Sequence, residues 1–244
     1  MIEISFPDKS KRSFKKGITP FEIAQSISEG LARNVLSSSF NENIIEVSTP
    51  LEKNGDIKLF TWKDPEGKAA FWHSSAHILA QSILSLYPNA KLTIGPSIEN
   101  GFYYDVDFGN YSFTEKDLIP LEKKFLSYAR EKFEFKMRMC SKSDAIRYYK
   151  KENNPFKLEL IENLKDGEIS FCDHADFTDL CKGGHIPNTG HIKAVKLLNV
   201  AGAYWRGDES KKQLTRIYGI SFPKQKELSE YLTLLEEAKK RDHR

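Results

Sequence analysis

Two short segments, His73-Ser-Ser-Ala-His77 and Cys181-Lys-Gly-Gly-His185, constrain this fold more than anything else in the chain. Each carries two ligand-type side chains with three residues between them. On a helix, positions i and i+4 share a face, so His73 and His77 point at a common centre. Gly183 and Gly184 make the second segment a loop, able to fold over that centre. A fold that satisfies both must bring a helix and a remote loop together. Three His and one Cys form a tetrahedral zinc set or, equally, a polar cluster for acid/base work on an ester. All four on one ion would close a structural shell, whereas a metal-activated water would leave only three as ligands. A helical metalloprotease site needs Glu beside its first His; Ser74 stands there, and that chemistry is excluded.

Size and charge narrow the class. The chain has 244 residues, 39% hydrophobic and 29% charged, enough for one large or two smaller soluble domains. A net charge of +3 leaves any nucleic-acid contact to local clusters. Apolar runs stay far below the ~18 residues of a membrane helix, so no membrane partner is expected. Met1-Ile-Glu-Ile-Ser-Phe6, followed by Asp8 and Lys9, is not a signal peptide. Three cysteines make no disulfide framework. A reducing cytoplasm is therefore the expected location, with Cys181 available as a thiolate.

Patterning divides the chain. Ile2, Ile4 and Phe6 alternate with polar residues as in a half-buried strand. Thr19-Pro-Phe-Glu22 is a capping box with Pro at the first helical position, and Gly30 marks the stop. Strands are expected at 34–40, 44–47 and 56–62, and Lys63-Asp-Pro-Glu-Gly67 reads as a linker. A helix then runs from about His73 to Leu86, before the aromatic strand Gly101 to Asp107. Helices follow near Ile119, after Ser143 and from Phe156 to Leu164, with strands at 168–172, 191–200 and 213–222. A charged helix from Pro223 to about Arg241 ends on Lys239-Lys-Arg-Asp-His-Arg244 without a cap, as expected of a cut through a longer protein.

Other residues carry weaker signals. Gly183 and Gly184 would let backbone N–H groups approach a carbonyl or oxyanion, although Lys182-Gly-Gly-His185 also reads as a plain tight turn. Lys157 follows Pro155 at a helix start, where the dipole disfavours a cation, and reads as a solvated surface charge. Cys140 and Cys172 lack partners at metal spacing and read as small buried residues, and His174 reads as a loop residue. Tyr103-Tyr104-Asp105-Val-Asp107 reads as core plus solvent face. Tyr204-Trp-Arg-Gly-Asp208 reads as a loop that stacks on a base or caps a sheet.

Taken together, His73-Ser-Ser-Ala-His77, Ile94-Gly-Pro-Ser-Ile98 with Gly101-Phe-Tyr-Tyr-Asp105, Pro155-Phe-Lys-Leu-Glu159 and Asp179-Leu-Cys-Lys-Gly-Gly-His-Ile-Pro187 form a specific set. Ala201-Gly-Ala-Tyr-Trp-Arg-Gly-Asp208 and Glu236-Glu-Ala-Lys-Lys-Arg-Asp-His243 extend it over essentially the whole chain. The set resembles the N-terminal part of bacterial threonyl-tRNA synthetases. The His/Cys pattern alone is also similar to the editing domain of alanyl-tRNA synthetases and to related free-standing deacylases.

The resemblance implies an α+β chain: a ubiquitin-like β-grasp (TGS) domain at 1–62, a larger α+β editing domain with an antiparallel sheet at 63–224, and a linker helix at 225–244 towards an absent catalytic domain. It implies hydrolysis of serine wrongly esterified to threonine tRNA, with the mischarged 3′ end as partner and no charging of tRNA by this stretch. The full-length protein is expected to be a homodimer through domains absent here. By the same resemblance His73, His77, Cys181 and His185 line the pocket, with Lys157 and Asp179 around substrate and water, and Tyr104, Gly183 and Gly184 against the substrate. Lys157 and His73 would position or activate water and polarise the ester, while Asp179 and Cys181 hold the serine end. Alanine-type editing domains hold zinc on the four equivalent ligands; the bacterial threonine enzymes are expected to need no cofactor. Zinc on His73, His77, Cys181 and His185 stays open, as do a free-standing trans-editing deacylase and a non-catalytic zinc-stabilised RNA-binding module.

Overall fold

Ile2 and Ile4 are buried while Glu3 between them is exposed, and this alternation builds the first strand, β1 (Ile2–Ser5). The computed structural model describes residues 1–242; His243 and Arg244, the end of the closing charged run, lie outside the described residues. β1 pairs antiparallel with β2 (Lys11–Phe14). Thr19 then caps α1 (Pro20–Ile27): its hydroxyl accepts from the Glu22 N–H while the Glu22 carboxylate accepts from the Thr19 N–H, the expected capping box. Ser28 caps α2 (Glu29–Asn34), and β3 (Ser37–Phe40), β4 (Asn43–Ile45) and β5 (Gly55–Phe60) complete a sheet of order β2-β1-β5-β3-β4. The central β1–β5 pair is parallel and the other pairs are antiparallel. Ile2, Ile4, Ile23, Phe40, Leu51 and Ile57 form its core. This is the mixed sheet that the patterning anticipates, but with two helices in place of one: Gly30, read as the stop, lies inside α2.

The next helix, α3 (Pro65–Leu86), begins well before His73. Asp64 accepts from the Thr61 N–H and hydroxyl, and Pro65 occupies the first turn, where a missing N–H costs nothing. The Asp-Pro-Glu-Gly stretch that reads as a linker is thus a helix start, because its turn residues also suit an N-terminus.

β6 (Lys91–Leu92), β7 (Ser97–Ile98), β8 (Gly101–Asp107) and α4 (Leu118–Arg130) follow. Then come β9 (Lys136–Met139), α5 (Lys142–Lys151), α6 (Pro155–Glu162), β10 (Ser170–His174) and β11 (Phe177–Leu180). β12 (Ala194–Tyr204), β13 (Gln213–Phe222) and α7 (Gln225–Asp242) end the described chain. Among the described residues, no helix is long and apolar enough to cross a membrane.

Two compact units arise, each discontinuous in sequence: residues 1–74 with 134–188, and 75–133 with 189 onward. α3 gives its first half to the former and its second half to the latter. Besides the β-grasp sheet, the first unit holds an antiparallel sheet of order β11-β10-β9, with α5 and α6 around a core of Ala145, Tyr149, Ile161, Ile169 and Phe171. In the second unit an antiparallel sheet runs β12-β13-β8-β6, with β7 on β8. There Phe102 of β8 stacks on Phe125 of α4, and Asp105 receives both Arg216 donors at 2.7 and 2.8 Å. Asp105, expected on a solvent face, is buried by that cross-strand pair.

Candidate functional site

The register of one hairpin sets the site. Cys172 on β10 lies opposite Asp179 on β11, and the pairing continues as the Cys181 N–H donates to the Ser170 carbonyl at 3.0 Å. Cross-strand partners share a face, and so do residues two apart, so Cys172, Asp179 and Cys181 face the same way. The chain then turns through Gly183 and Gly184, whose φ values of +98° and +88° favour glycine at both positions. The Ser74 hydroxyl bonds the Ala70 carbonyl and accepts from the Ile186 N–H at 3.0 Å, tying the end of this loop to α3. Ser74, which marks the absence of a metalloprotease Glu, therefore has a positive role that spacing alone hides.

His73 and His77 sit one turn apart on α3, as the i,i+4 spacing requires. His73 Nε2 lies 3.1 Å from Cys181 Sγ, and Cys181 Sγ lies 3.3 Å from His185 Nε2. One ligand atom from each of His73, His77, Cys181 and His185 falls within 4.8 Å of all the others. Tetrahedral zinc needs N and S donors roughly 3.3–3.6 Å apart, from metal–ligand lengths of about 2.0–2.3 Å. The donor types fit that ion, whose binding would draw the widest-spaced donors closer together. His77, Cys181 and His185 are buried and His73 is partly open, so His73 gives the cluster its exposed side.

The His185 ring is held on several sides. Phe135 stacks on it with centroids 5.0 Å apart and planes 9° from parallel. Glu46, just past β4, meets His185 Nδ1 at 2.8 Å, and Cys172 Sγ lies 3.9 Å from the same nitrogen. Burial opposes a charged ring here, but hydrogen bonds to Cys172, Cys181 and Glu46 outweigh it and hold the imidazole well above its ordinary value of 6.5. Burial pushes the Cys172 thiol up, so Cys172 is a neutral neighbour of the ring. Spacing marked Cys172 only as a small buried residue; the β10–β11 register is what brings it to the site. His174, read as a loop residue, ends β10 and is buried between Phe135 and Phe177.

Lys157 reverses its surface reading. It lies in the first turn of α6 behind the Asn154 cap, is 3% exposed, and places Nζ 2.6 Å from the Asp179 carboxylate. The Tyr149 hydroxyl also reaches Asp179, at 3.2 Å, and accepts from the Leu180 N–H. The ion pair removes the penalty of burying a lone ammonium. Burial and the neighbouring Asp179 charge raise the Tyr149 phenol well above its ordinary value, keeping it a hydrogen-bond donor.

Gly183 directs its N–H to Cys181 Sγ at 3.4 Å and Gly184 directs its own to Glu46 at 3.1 Å. Tyr104 belongs to β8 in the second unit, where its buried ring packs against Gly95. Sequence reasoning missed Glu46 and the role of Ser74: Glu46 belongs to no motif, and the bond from Ile186 to Ser74 arises only in the fold.

Two family models match the chain: the TGS domain over residues 2–61, and the threonyl and alanyl tRNA synthetase second additional domain over residues 169–218. The second match spans β10, β11 and the Cys181–His185 loop. Similar proteins include the threonine–tRNA ligases of Flavobacterium johnsoniae, 62% identical over 100% of this chain and 37% of the relative, and of Cytophaga hutchinsonii, 57% identical over 100% and 38%. That of Caldanaerobacter subterraneus subsp. tengcongensis is 50% identical over 99% of this chain and 37% of its own length. The chain spans little more than a third of the length of the curated relatives it matches.

Proposed function

Because this chain corresponds to the N-terminal portion of threonine–tRNA ligases, joining a TGS domain to the second additional domain, we propose that it hydrolyses the ester linking serine to the 3′ end of threonine tRNA. The reading rests chiefly on one observation: His73, His77, Cys181 and His185 converge within 4.8 Å on the loop of the second additional domain. Serine differs from threonine by one methyl group. One methylene supplies only about 1–3 kcal/mol of discrimination, so a ligase for threonine gains from a second, smaller site that removes serine.

Ester hydrolysis requires water to attack the carbonyl carbon, a stabilised oxyanion, and a proton delivered to the departing ribose oxygen. His73, the partly open member of the cluster, orients the water, takes its proton and returns it to the departing ribose oxygen. The Lys157 ammonium polarises the ester oxygen while Asp179 holds that ammonium in place. Asp179 and Cys181, on one face of the hairpin, contact the amino-acid end. Zinc, where bound, would be held by His73, His77, Cys181 and His185, and with all four engaged its contribution is structural. The reaction belongs in the cytoplasm, where charged tRNA is used.

His73→Ala and Cys181→Ala should each abolish deacylation in a single-turnover assay while the melting temperature stays close to the parent's. Loss of the cooperative melt in both variants, with about one zinc per chain by elemental analysis, would instead make the cluster a structural metal centre.

A further inference from the structure

Glu46 belongs to the β-grasp segment, 139 residues from His185, yet three donors of the site loop converge on its carboxylate. The Gly184 N–H donates to Oε1 at 3.1 Å, the His185 N–H donates to Oε2 at 2.8 Å, and His185 Nδ1 meets Oε1 at 2.8 Å. We propose that Glu46 is a positioning residue for the site: it fixes the His185 ring with Nδ1 protonated and Nε2 aimed at Cys181 and the four-residue centre.

A carboxylate that already receives two backbone N–H groups acts as an acceptor, so the ring nitrogen facing it carries the proton. Whenever the ring is neutral, its lone pair is then on Nε2, the nitrogen 3.3 Å from Cys181 Sγ. Carboxylates commonly orient ligating and catalytic histidines in this way, and their loss typically costs about 10–100-fold in activity or metal affinity. The backbone of Glu46 is itself anchored. Its carbonyl accepts from the Thr49 N–H, the next residue Val47 is buried with Ala24, Ala32 and Val35, and the Val47 carbonyl accepts from the Phe21 N–H. Gly183 makes room on the other side, since a Cβ there would lie 3.3 Å from Glu46 Oε1, whereas Gly184 is required by its φ of +88°. The β-grasp segment thus completes the site and does more than accompany it.

The assignment rests on the deacylase reading for its kinetic part only. The test uses the 244-residue chain and its near-isosteric variant Glu46→Gln, with Glu46→Asp as the variant that keeps a shortened carboxylate. Nitrogen-15 ring shifts of His185 report the tautomer, and single-turnover removal of serine reports the rate. At a pH that deprotonates the ring, the parent should show the Nδ1-protonated form. Glu46→Gln should lose that bias and slow the reaction by about 10–100-fold with unchanged half-saturation in tRNA, and Glu46→Asp should recover part of both. An unchanged tautomer and rate in Glu46→Gln would overturn the assignment. So would a slower rate that tracks a lowered melting temperature while the folded fraction keeps the parental tautomer, since Glu46 would then only brace the loop. A parent that removes serine no faster than background would refute the deacylase reading, and the ring shifts would still decide the role of Glu46.

Discussion

At the scale of single residues, Lys157 carries most of the electrostatic consequence: its ammonium and the Asp179 carboxylate lie 2.6 Å apart, both nearly sealed from water. Removing one partner of such a pair leaves the other charge buried and alone, at a cost of about 3–5 kcal/mol. Lys157→Ala should therefore lower the unfolding free energy by that amount in a denaturant titration. The double variant Lys157→Met, Asp179→Asn removes both charges, keeps an acceptor for Tyr149, and should recover most of the stability while serine removal stays depressed by about 10²–10³. Full stability together with parental turnover would show that the pair only fills space. Lys157→Arg should fall short of rescue, because a planar fork does not replace a compact ammonium. None of this pairing is legible in the sequence, since Lys157 and Asp179 belong to different elements and the local signal at a helix start favours a surface charge. His73 with His77, and Cys181 with His185, are legible because each pair sits within one local element, where spacing and geometry coincide. Glu46 and Cys172 reach the site through the β-grasp chain and the hairpin register, which no local spacing encodes.

At the scale of elements, helix starts show what local chemistry specifies well and where it is ambiguous. The Thr19 capping box forms as its pattern requires, and Thr19→Ala should cost about 1 kcal/mol in thermal or denaturant unfolding. The start of α3 is less legible, because Asp64, Pro65 and Gly67 are equally at home in a linker. Gly67 lies inside that helix, where propensity alone would favour alanine by about 1 kcal/mol. Packing opposes the exchange: a Cβ at Gly67 would lie 2.0 Å from the Thr61 carbonyl oxygen, a clash with backbone that no rotamer relieves. Overpacking of this kind costs about 1–3 kcal/mol, so Gly67→Ala should lower the melting temperature despite its better helix propensity. A raised melting temperature would mean that the first turn of α3 shifts without resistance. The β8 strand follows the same logic. Its aromatic alternation is visible in sequence, but Asp105 reads as solvent-facing until Arg216 is found opposite it on β13.

At the scale of the whole molecule, the mixed N-terminal sheet follows from patterning and the β-grasp start from the resemblance, while the discontinuous packing follows from neither. Residues 134–188 fold with residues 1–74, so the hairpin bearing Cys181 and the strand end bearing Glu46 share a unit despite the sequence between them. Long-range sheet register and contact of this kind arise from the packing of completed elements, and hydrophobic periodicity reports only the elements. The central claim is that the assembled site removes serine and spares threonine. Its most direct test is single-turnover hydrolysis by the purified chain of threonine tRNA carrying either serine or threonine at saturating protein. The account predicts loss of serine faster than that of threonine by about 10–200-fold, the discrimination that one methylene supplies at a closely fitting site. Equal loss of both amino acids at the uncatalysed rate would contradict it.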